Sequence, residues 1–343
     1  MKRLLSPTAR LERRARRAEE RGDRIGAIAA WTRADDRRPD PAVEEHLADL
    51  RCAEPGEGRP DRGPAPLLAM ADPFPRSVGT IPEIDASALS AAVVGGAIRH
   101  HGSLIVRGLL DPSRVAALGD TVERAFAARE DHHAGAPREQ TTPWFVPCAG
   151  WSARLPADAA RARMFVRQVG SAVHVVDSPR ALHLVLGALR RVGLPRIASE
   201  CLGERAVLTA NKTTLRLVPP AATTGWHQDG SFMGADVQAL NVWVALTPCG
   251  TGTEAPGLHV VPRRIDEIAP VPGGPNITVA GSAVAAYAPP VTPFFAAGDA
   301  LVFDQMLLHS TGGAPGLTTP RLALETWMFR ASDVPAGYLP VTF

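Results

Sequence analysis

The run Trp226-His227-Gln228-Asp229 places an imidazole and a carboxylate two residues apart. In extended backbone such residues project to one face, so His227 and Asp229 reach a common point while Gln228 turns away. They offer two legs of a metal site. His309, near the end of the apolar run Phe303–Thr311, offers a third if a rolled sheet brings the two stretches together. Two histidines and one carboxylate on one face of an octahedron suit non-haem Fe(II) and leave positions for a cosubstrate and dioxygen. The same three ligands also suit a catalytic zinc with a bound water, as in a hydrolase or lyase.

Arg321 separates these chemistries. It lies twelve residues after His309 and opens the strand-like run Arg321–Arg330. An arginine projecting into an apolar barrel is costly unless an anion meets it. Its fork matches a carboxylate, and a dicarboxylate reaching from the metal into the barrel supplies one. Thr311 should share the face of His309 and add a hydroxyl to the same carboxylate. Trp226 and Trp243 are candidates to wall the site. Gln228 and Trp243 are the candidates for substrate contact, and Gln228 could equally complete a hydrogen bond behind the ligands.

The elements that must position these residues divide the chain in two. From about residue 205, short β-like runs (AVLTANKTTLRLV, ALNVWVAL, LHVVP, AVAAYAP, ALVFDQMLLH, RLALETWMF) alternate with Gly/Pro turn clusters, the pattern of a sandwich or jelly-roll barrel. Before them the spacing predicts a helix over 86–100 ended by Gly102, a strand Ser103–Arg107, and a helix over 113–129 capped by Asp111-Pro112. His132 and His133 read as solvated loop residues, and Ser178 as the cap of a further helix. Helices followed by strands make the body α+β, with a helical layer supporting the barrel. Residues 8–52 read as charged helices broken at Gly22-Asp23 and Pro39-Asp40-Pro41, and Pro and Gly crowd residues 53–75 as a linker. The expected organisation is an arm over 1–52, a linker over 53–75 and a catalytic domain over 76–343.

Composition narrows the function from outside. The 343 residues are 45% hydrophobic and 21% charged, which supports a packed core. The net charge of +2 is unevenly placed: residues 1–52 carry 13 Lys/Arg against 10 Asp/Glu, and the rest carries 24 against 25. A body with no basic surplus argues against nucleic-acid binding. No run approaches the roughly 18 apolar residues of a membrane span. Four cysteines without CxxC spacing and an Arg-rich start without a secretory pattern lead us to expect a cytoplasmic protein.

Together WHQD at 226–229, HST at 309–311 and Arg321 resemble the phytanoyl-CoA dioxygenase-like family of Fe(II)/2-oxoglutarate oxygenases. Supporting likenesses are HGSLIVRGLLDPSRVAAL, LNVWVAL and the glycine-led GLHVVPRR at 257–264. The resemblance spans roughly residues 75–332. It implies a double-stranded β-helix core of cupin-like jelly-roll type. It also implies iron on His227, Asp229 and His309, 2-oxoglutarate on Arg321, and O2 as oxidant. Many relatives carry a lysine just before the paired prolines, where this chain has Val218; Arg216 or Lys212 could replace that charge. Related halogenases have a small residue in place of the aspartate, so Asp229 favours hydroxylation of a small-molecule or acyl-type substrate, with release of succinate and CO2. Outside the resemblance, Ala27, Trp31, Ala34 and Pro39 fall at the spacing of one tetratricopeptide-like repeat. The same segment reads equally as a charged helical extension packed on the main domain, while its basic surplus raises the expectation of a protein partner through the arm, whether on an enzyme or on a catalytically silent scaffold.

Overall fold

A computed structural model of the chain describes residues 6–52, 69–77, 79–149, 151, 172–271 and 277–343. The expected linker over 53–75 lies outside them apart from 69–75. In chain order the helices are α1 Pro7–Glu20, α2 Arg24–Asp35, α3 Pro41–Arg51, α4 Ala91–His101, α5 Pro112–His133, α6 Arg138–Thr141, α7 Pro179–Arg191, α8 Leu194–Leu202, α9 Gly230–Met233 and α10 Gly281–Val284. The strands are β1 Glu83–Asp85, β2 Ser103–Arg107, β3 Ala172–His174, β4 Ala206–Val218, β5 Ala239–Ala245, β6 Gly257–Val260, β7 Ala300–Phe303, β8 His309–Gly312, β9 Arg321–Arg330 and β10 Pro340–Val341.

The molecule is α+β with a double-stranded β-helix core. Its main sheet runs β1-β2-β7-β5-β9-β4-β10, with β3 also paired to β4, and is antiparallel apart from β1 with β2. The smaller layer pairs β6 with β8 and is extended by single bridges from His227 to His309, Trp226 to Val279 and Val260 to Val291.

Side-chain alternation sorts the main sheet into two faces. Leu104, Val106, Val242, Val244, Leu322 and Leu324 pack against α4, α5, α7 and α8. Their neighbours Ile105, Trp243, Leu301, Phe303, Ala323 and Trp327 point into the barrel. Strand β4 breaks this rule once, because its register against β9 shifts between Leu208 and Thr213. Leu208 and Leu215, of opposite parity, therefore both face the helices. The shift turns Thr214 and Arg216 inward, opposite Glu325 and Ala323 of β9. An irregularity of an odd number of residues re-aims every later side chain on a strand, and here five residues of β4 against two of β9 deliver polar groups to the barrel interior.

Several local expectations need correction. His132 and His133 belong to the last turn of α5, and both rings lie against Phe145. The α5 pattern continues through them because nothing before Gly135 breaks it. Ser178 precedes α7 but makes no capping bond, since its hydroxyl is buried without a partner. The AVAAYAP run is no strand. Its start lies in α10, where only Val284 is buried, and alanine favours helix once no neighbouring strand recruits the segment. ALVFDQMLLH divides into the end-to-end strands β7 and β8 around the turn at Asp304. Gly102 does end α4, in the left-handed conformation (φ 85°) that suits glycine.

The arm docks on the body. Glu44 pairs with Arg180 of α7, and His183 lies 3.1 Å from both Asp35 and Asp36. Arg51 is buried and donates to the Thr342 carbonyl (3.0 Å) and the Thr32 hydroxyl (2.6 Å), while Cys52 bridges to Val341 at the sheet edge. Within the arm, Trp31 packs against Ala15, Ala18 and Ala27 and donates its indole N–H to Glu19 (2.5 Å). The small residues permit that close approach. Trp31→Ala is expected to cost the arm about 3 kcal/mol or more. Limited proteolysis should then cut within residues 6–52 before the barrel, and cleavage patterns identical to wild type would contradict it.

Candidate active site

His227 and His309 are joined by reciprocal backbone bonds, each N–H donating to the other's carbonyl at 3.0 Å. This bridge ties the chain after β4 to the start of β8 and sets the two rings 4.5 Å apart, centroid to centroid. In each ring Nδ1 faces the carbonyl two residues earlier, Gly225 at 2.8 Å for His227 and Leu307 at 3.0 Å for His309. A carbonyl only accepts, so Nδ1 carries the proton and Nε2 keeps its lone pair free for a metal.

Asp229 arrives by a different route from the one its spacing predicts. It is not in extended backbone but in a turn (φ −62°, ψ −26°) that opens α9, held by the Gly230 N–H donating to Gln305 O at 2.8 Å. The turn still carries the carboxylate to the histidines. The three side chains offer ligand atoms that all lie within 4.8 Å of one another, with His309 Nε2 3.8 Å from Asp229 Oδ2. Burial raises the Asp229 carboxyl, but Lys212 and the two imidazoles outweigh that and hold it below the ordinary carboxylate range. Burial, reinforced by His227, pushes His309 down to about 4. The site thus presents one carboxylate and, in His309, a neutral imidazole, protonation states that a divalent cation needs.

Beside them opens a cavity of about 540 Å³, inside the roughly 300–1,000 Å³ range of small-molecule sites. Arg321 lines it from the start of β9 and is 2% exposed. Its Nη1 donates to the Pro256 (3.0 Å) and Gly257 (2.7 Å) carbonyls, and the guanidinium stands over the Trp243 ring at 5.3 Å. Its Nε is buried without a partner, and no carboxylate among the described residues pairs with it. Burial lowers its pKa to about 10, so it remains a cation at neutral pH. Asn241 Oδ1, on the same cavity wall, is likewise buried and unpartnered. The orphaned Arg321 donor awaits a ligand with a negatively charged end, and the orphaned Asn241 oxygen awaits a donor.

Thr311 and Trp243 line the cavity. Gln228 does not. Its amide is buried and donates to Met306 O (2.7 Å) and Glu267 O (3.2 Å), while its oxygen accepts from Ala269 N–H (2.7 Å). It pins the loop behind the ligands and has no access to substrate. Trp226 stacks on His259 outside the cavity. Two further wall residues are charged: Glu325, which had no assigned role in the sequence, and Lys212, named there with Arg216 as a replacement for the lysine missing before the paired prolines. Glu325 meets Arg216 and Thr214 at 3.4 Å, and Lys212 reaches Asp229 Oδ1 at 3.3 Å with its ammonium 4.0 Å from the Phe232 ring centroid. Their inward aim follows from the register shift in β4 and from pairing with β9. The period-2 parity of Glu325 with Arg321 was a readable signal for the first.

Two imidazoles and a carboxylate at one mouth of a jelly-roll barrel, with a buried cation further in, define an Fe(II)- and 2-oxoglutarate-dependent oxygenase. The chain belongs to the phytanoyl-CoA dioxygenase (PhyH) family, whose sequence model matches residues 98–316. Its cofactors are Fe(II) and 2-oxoglutarate, with O2 as the oxidant. No curated protein sequence matches the chain. Among solved structures it is similar to AviO1 from Streptomyces viridochromogenes Tue57, at 20% identity over 70% of this chain and 94% of that one (TM-score 0.45). It is also similar to EctD from S. alaskensis with 2-oxoglutarate and 5-hydroxyectoine, at 17% identity over 82% and 88% (TM-score 0.49). A third is the epimerase SnoN in complex with Fe3+, alpha ketoglutarate and nogalamycin RO, at 18% identity over 68% and 81% (TM-score 0.40). No described helix is long and apolar enough to cross a membrane.

Proposed function

We propose that His227, Asp229 and His309 hold Fe(II), that Arg321 and Thr311 bind the distal carboxylate of 2-oxoglutarate, and that the enzyme hydroxylates a C–H bond of a small-molecule or acyl-type substrate. The observation that carries this reading is Arg321, a buried cation whose only described hydrogen-bond partners are two carbonyls, in the same cavity as the three convergent ligand atoms. Closed-shell hydrolytic chemistry has no use for such a guanidinium. A carboxylate at position 229, rather than a small residue, favours hydroxylation over halide transfer.

Bound in this cavity, iron and 2-oxoglutarate supply O2 activation coupled to oxidative decarboxylation, which yields succinate and CO2. The protein's own residues do the positioning. The Gly225 and Leu307 carbonyls hold both imidazoles in the metal-ready tautomer. The Pro256 and Gly257 carbonyls fix the Arg321 fork before any ligand arrives, and Trp243 covers its face. Phe303 and Trp327 close the apolar interior and exclude water.

Anaerobic Fe(II) plus 2-oxoglutarate should produce a weak visible charge-transfer band that requires both components. A band that ignores 2-oxoglutarate, or none at all, would sink the assignment. Gly257 provides a second check. A Cβ there would lie 2.6 Å from the Gly250 Cα, so Gly257→Ala must shift the carbonyl that holds Arg321. Titration of the band should show 2-oxoglutarate affinity falling on the order of tenfold, because the clamp loses its alignment.

The domain reading is a catalytic body over 76–343 joined through 53–75 to the arm over 1–52. The arm braces α7 and the β10 edge, which leaves the outward arginines of α1, such as Arg10, Arg13 and Arg17, as its surface for a protein partner. A cytoplasmic location fits the four buried free cysteines.

A further inference from the structure

Resting on that reading, we infer that the substrate is a small monoanion, a carboxylate attached to an apolar body, and that Lys212 receives its charge. The first support is the charge of the cavity. Among the described residues that line it, the cations are Lys212, Arg216 and Arg321, and the carboxylates are Asp229 and Glu325. Fe(II) and 2-oxoglutarate carry equal and opposite charges, so loading them leaves the cavity one positive charge in excess.

The partners locate that excess. Arg321 is committed to the distal carboxylate of the cosubstrate. Glu325 lies 3.4 Å from Arg216 and from Thr214, on the adjoining strand. Asp229 is the only carboxylate that Lys212 meets among the described residues, at 3.3 Å, and the metal takes a share of that carboxylate's charge. The Lys212 ammonium, with its side chain only 21% exposed, is then the cation left without a full counter-charge. An ammonium has three donors, and Asp229 accepts from one. A buried charge of this kind is costly until an anion meets it.

The apolar half of the substrate is read from the rim. Phe232 (40% exposed) and Ile277 (36% exposed) are large apolar side chains left open to solvent, and both line this cavity. The Phe232 ring is the one on which the Lys212 ammonium rests, 4.0 Å from its centroid. Charge and apolar surface therefore meet at one edge. A carboxylate placed at Lys212 lays its attached body across Phe232 towards Ile277, next to the metal ligand Asp229. Exposed apolar rims of this sort gain from covering, and a ligand that is only charged would leave them in water.

The test uses the full-length protein loaded anaerobically with Fe(II) and 2-oxoglutarate, with three probes of one shape: 4-phenylbutanoate, 4-phenylbutanamide and 4-phenylbutylamine. Binding is read as perturbation of the visible charge-transfer band. The carboxylate should bind at least about tenfold more tightly than the amide and the amine. Lys212→Met should erase that preference while keeping the band and the 2-oxoglutarate affinity, and Lys212→Arg should restore it. Probe binding that is absent or indifferent to charge overturns the inference. So does a Lys212→Met protein that loses the band or binds 2-oxoglutarate about tenfold more weakly, since Lys212 would then serve the cosubstrate. Failure of the wild type to form the band at all is a different result, and it strikes the iron and 2-oxoglutarate assignment instead.

Discussion

Arg321→Met binds Fe(II) normally but loses 2-oxoglutarate affinity by on the order of 100-fold or more, because truncating one member of a buried charge pair costs roughly 2–5 kcal/mol. Anaerobic titration of the charge-transfer band measures it directly. The same variant should show an opposite effect on the unliganded protein. Arg321 is 2% exposed, has no carboxylate partner among the described residues, and leaves Nε without an acceptor. Methionine removes that buried charge, so the apo protein should keep or gain thermal stability even though the Pro256 and Gly257 carbonyls lose a donor. Wild type should be stabilised by added 2-oxoglutarate and the variant should not. A variant that unfolds more readily yet binds 2-oxoglutarate as wild type does would show Arg321 to be part of the scaffold and not the clamp. This division is the signature of a site that stores instability for its ligand.

Asp229→Ala is the second large effect, and it acts on two quantities at once. Removing one of three convergent ligand groups should lower Fe(II) affinity by at least about 100-fold, beyond the 10- to 100-fold typical of losing a group behind a ligand. It also strips Lys212 of the carboxylate 3.3 Å away. The orphaned ammonium should cost about 2–3 kcal/mol of stability, less than a fully buried pair because Lys212 retains some solvent contact. Adding Lys212→Met should recover most of that stability and none of the metal affinity. Equilibrium denaturation beside metal titration separates the two. His309→Ala, by contrast, should abolish metal binding with a smaller stability loss, since it leaves no unpaired cation. If Asp229→Ala and the double variant were equally unstable, the Lys212–Asp229 contact would carry no energy.

The ligand types were legible because the chemistry leaves few options. His227, Asp229 and His309 are the residues a divalent cation would use, and an arginine opening an apolar strand demands an anion. Strand extents were legible wherever alternation was regular, and β4, β5 and β9 fall nearly where their apolar runs do. Long-range geometry was not. Asp229 was expected on a pleat, and Gln228 either at substrate or in a hydrogen bond behind the ligands, whereas a turn places Asp229 and the tertiary fold puts the Gln228 amide in the second position, buried among Met306, Glu267 and Ala269. The AVAAYAP run failed as a strand because alanine-rich sequence reports its own propensity and not the absence of a neighbouring strand. His132 and His133 were misplaced because a helix end is set by where packing stops, and their packing on Phe145 extends α5.

What the amino-acid sequence determines by itself here is a set of parts: three ligand groups, one buried cation, alternating strands and a charged helical arm. Each of these depends on residue type and near-neighbour spacing, which the chain carries locally. Tertiary structure decided which parts meet. The paired backbone bonds between His227 and His309 bring together residues 82 positions apart. The register shift in β4 decides that Thr214 and Arg216 face the barrel interior and not the helices. Pairing across strands, a property of two segments at once, is invisible in either one alone, and it is this pairing that turns a list of reactive side chains into a site.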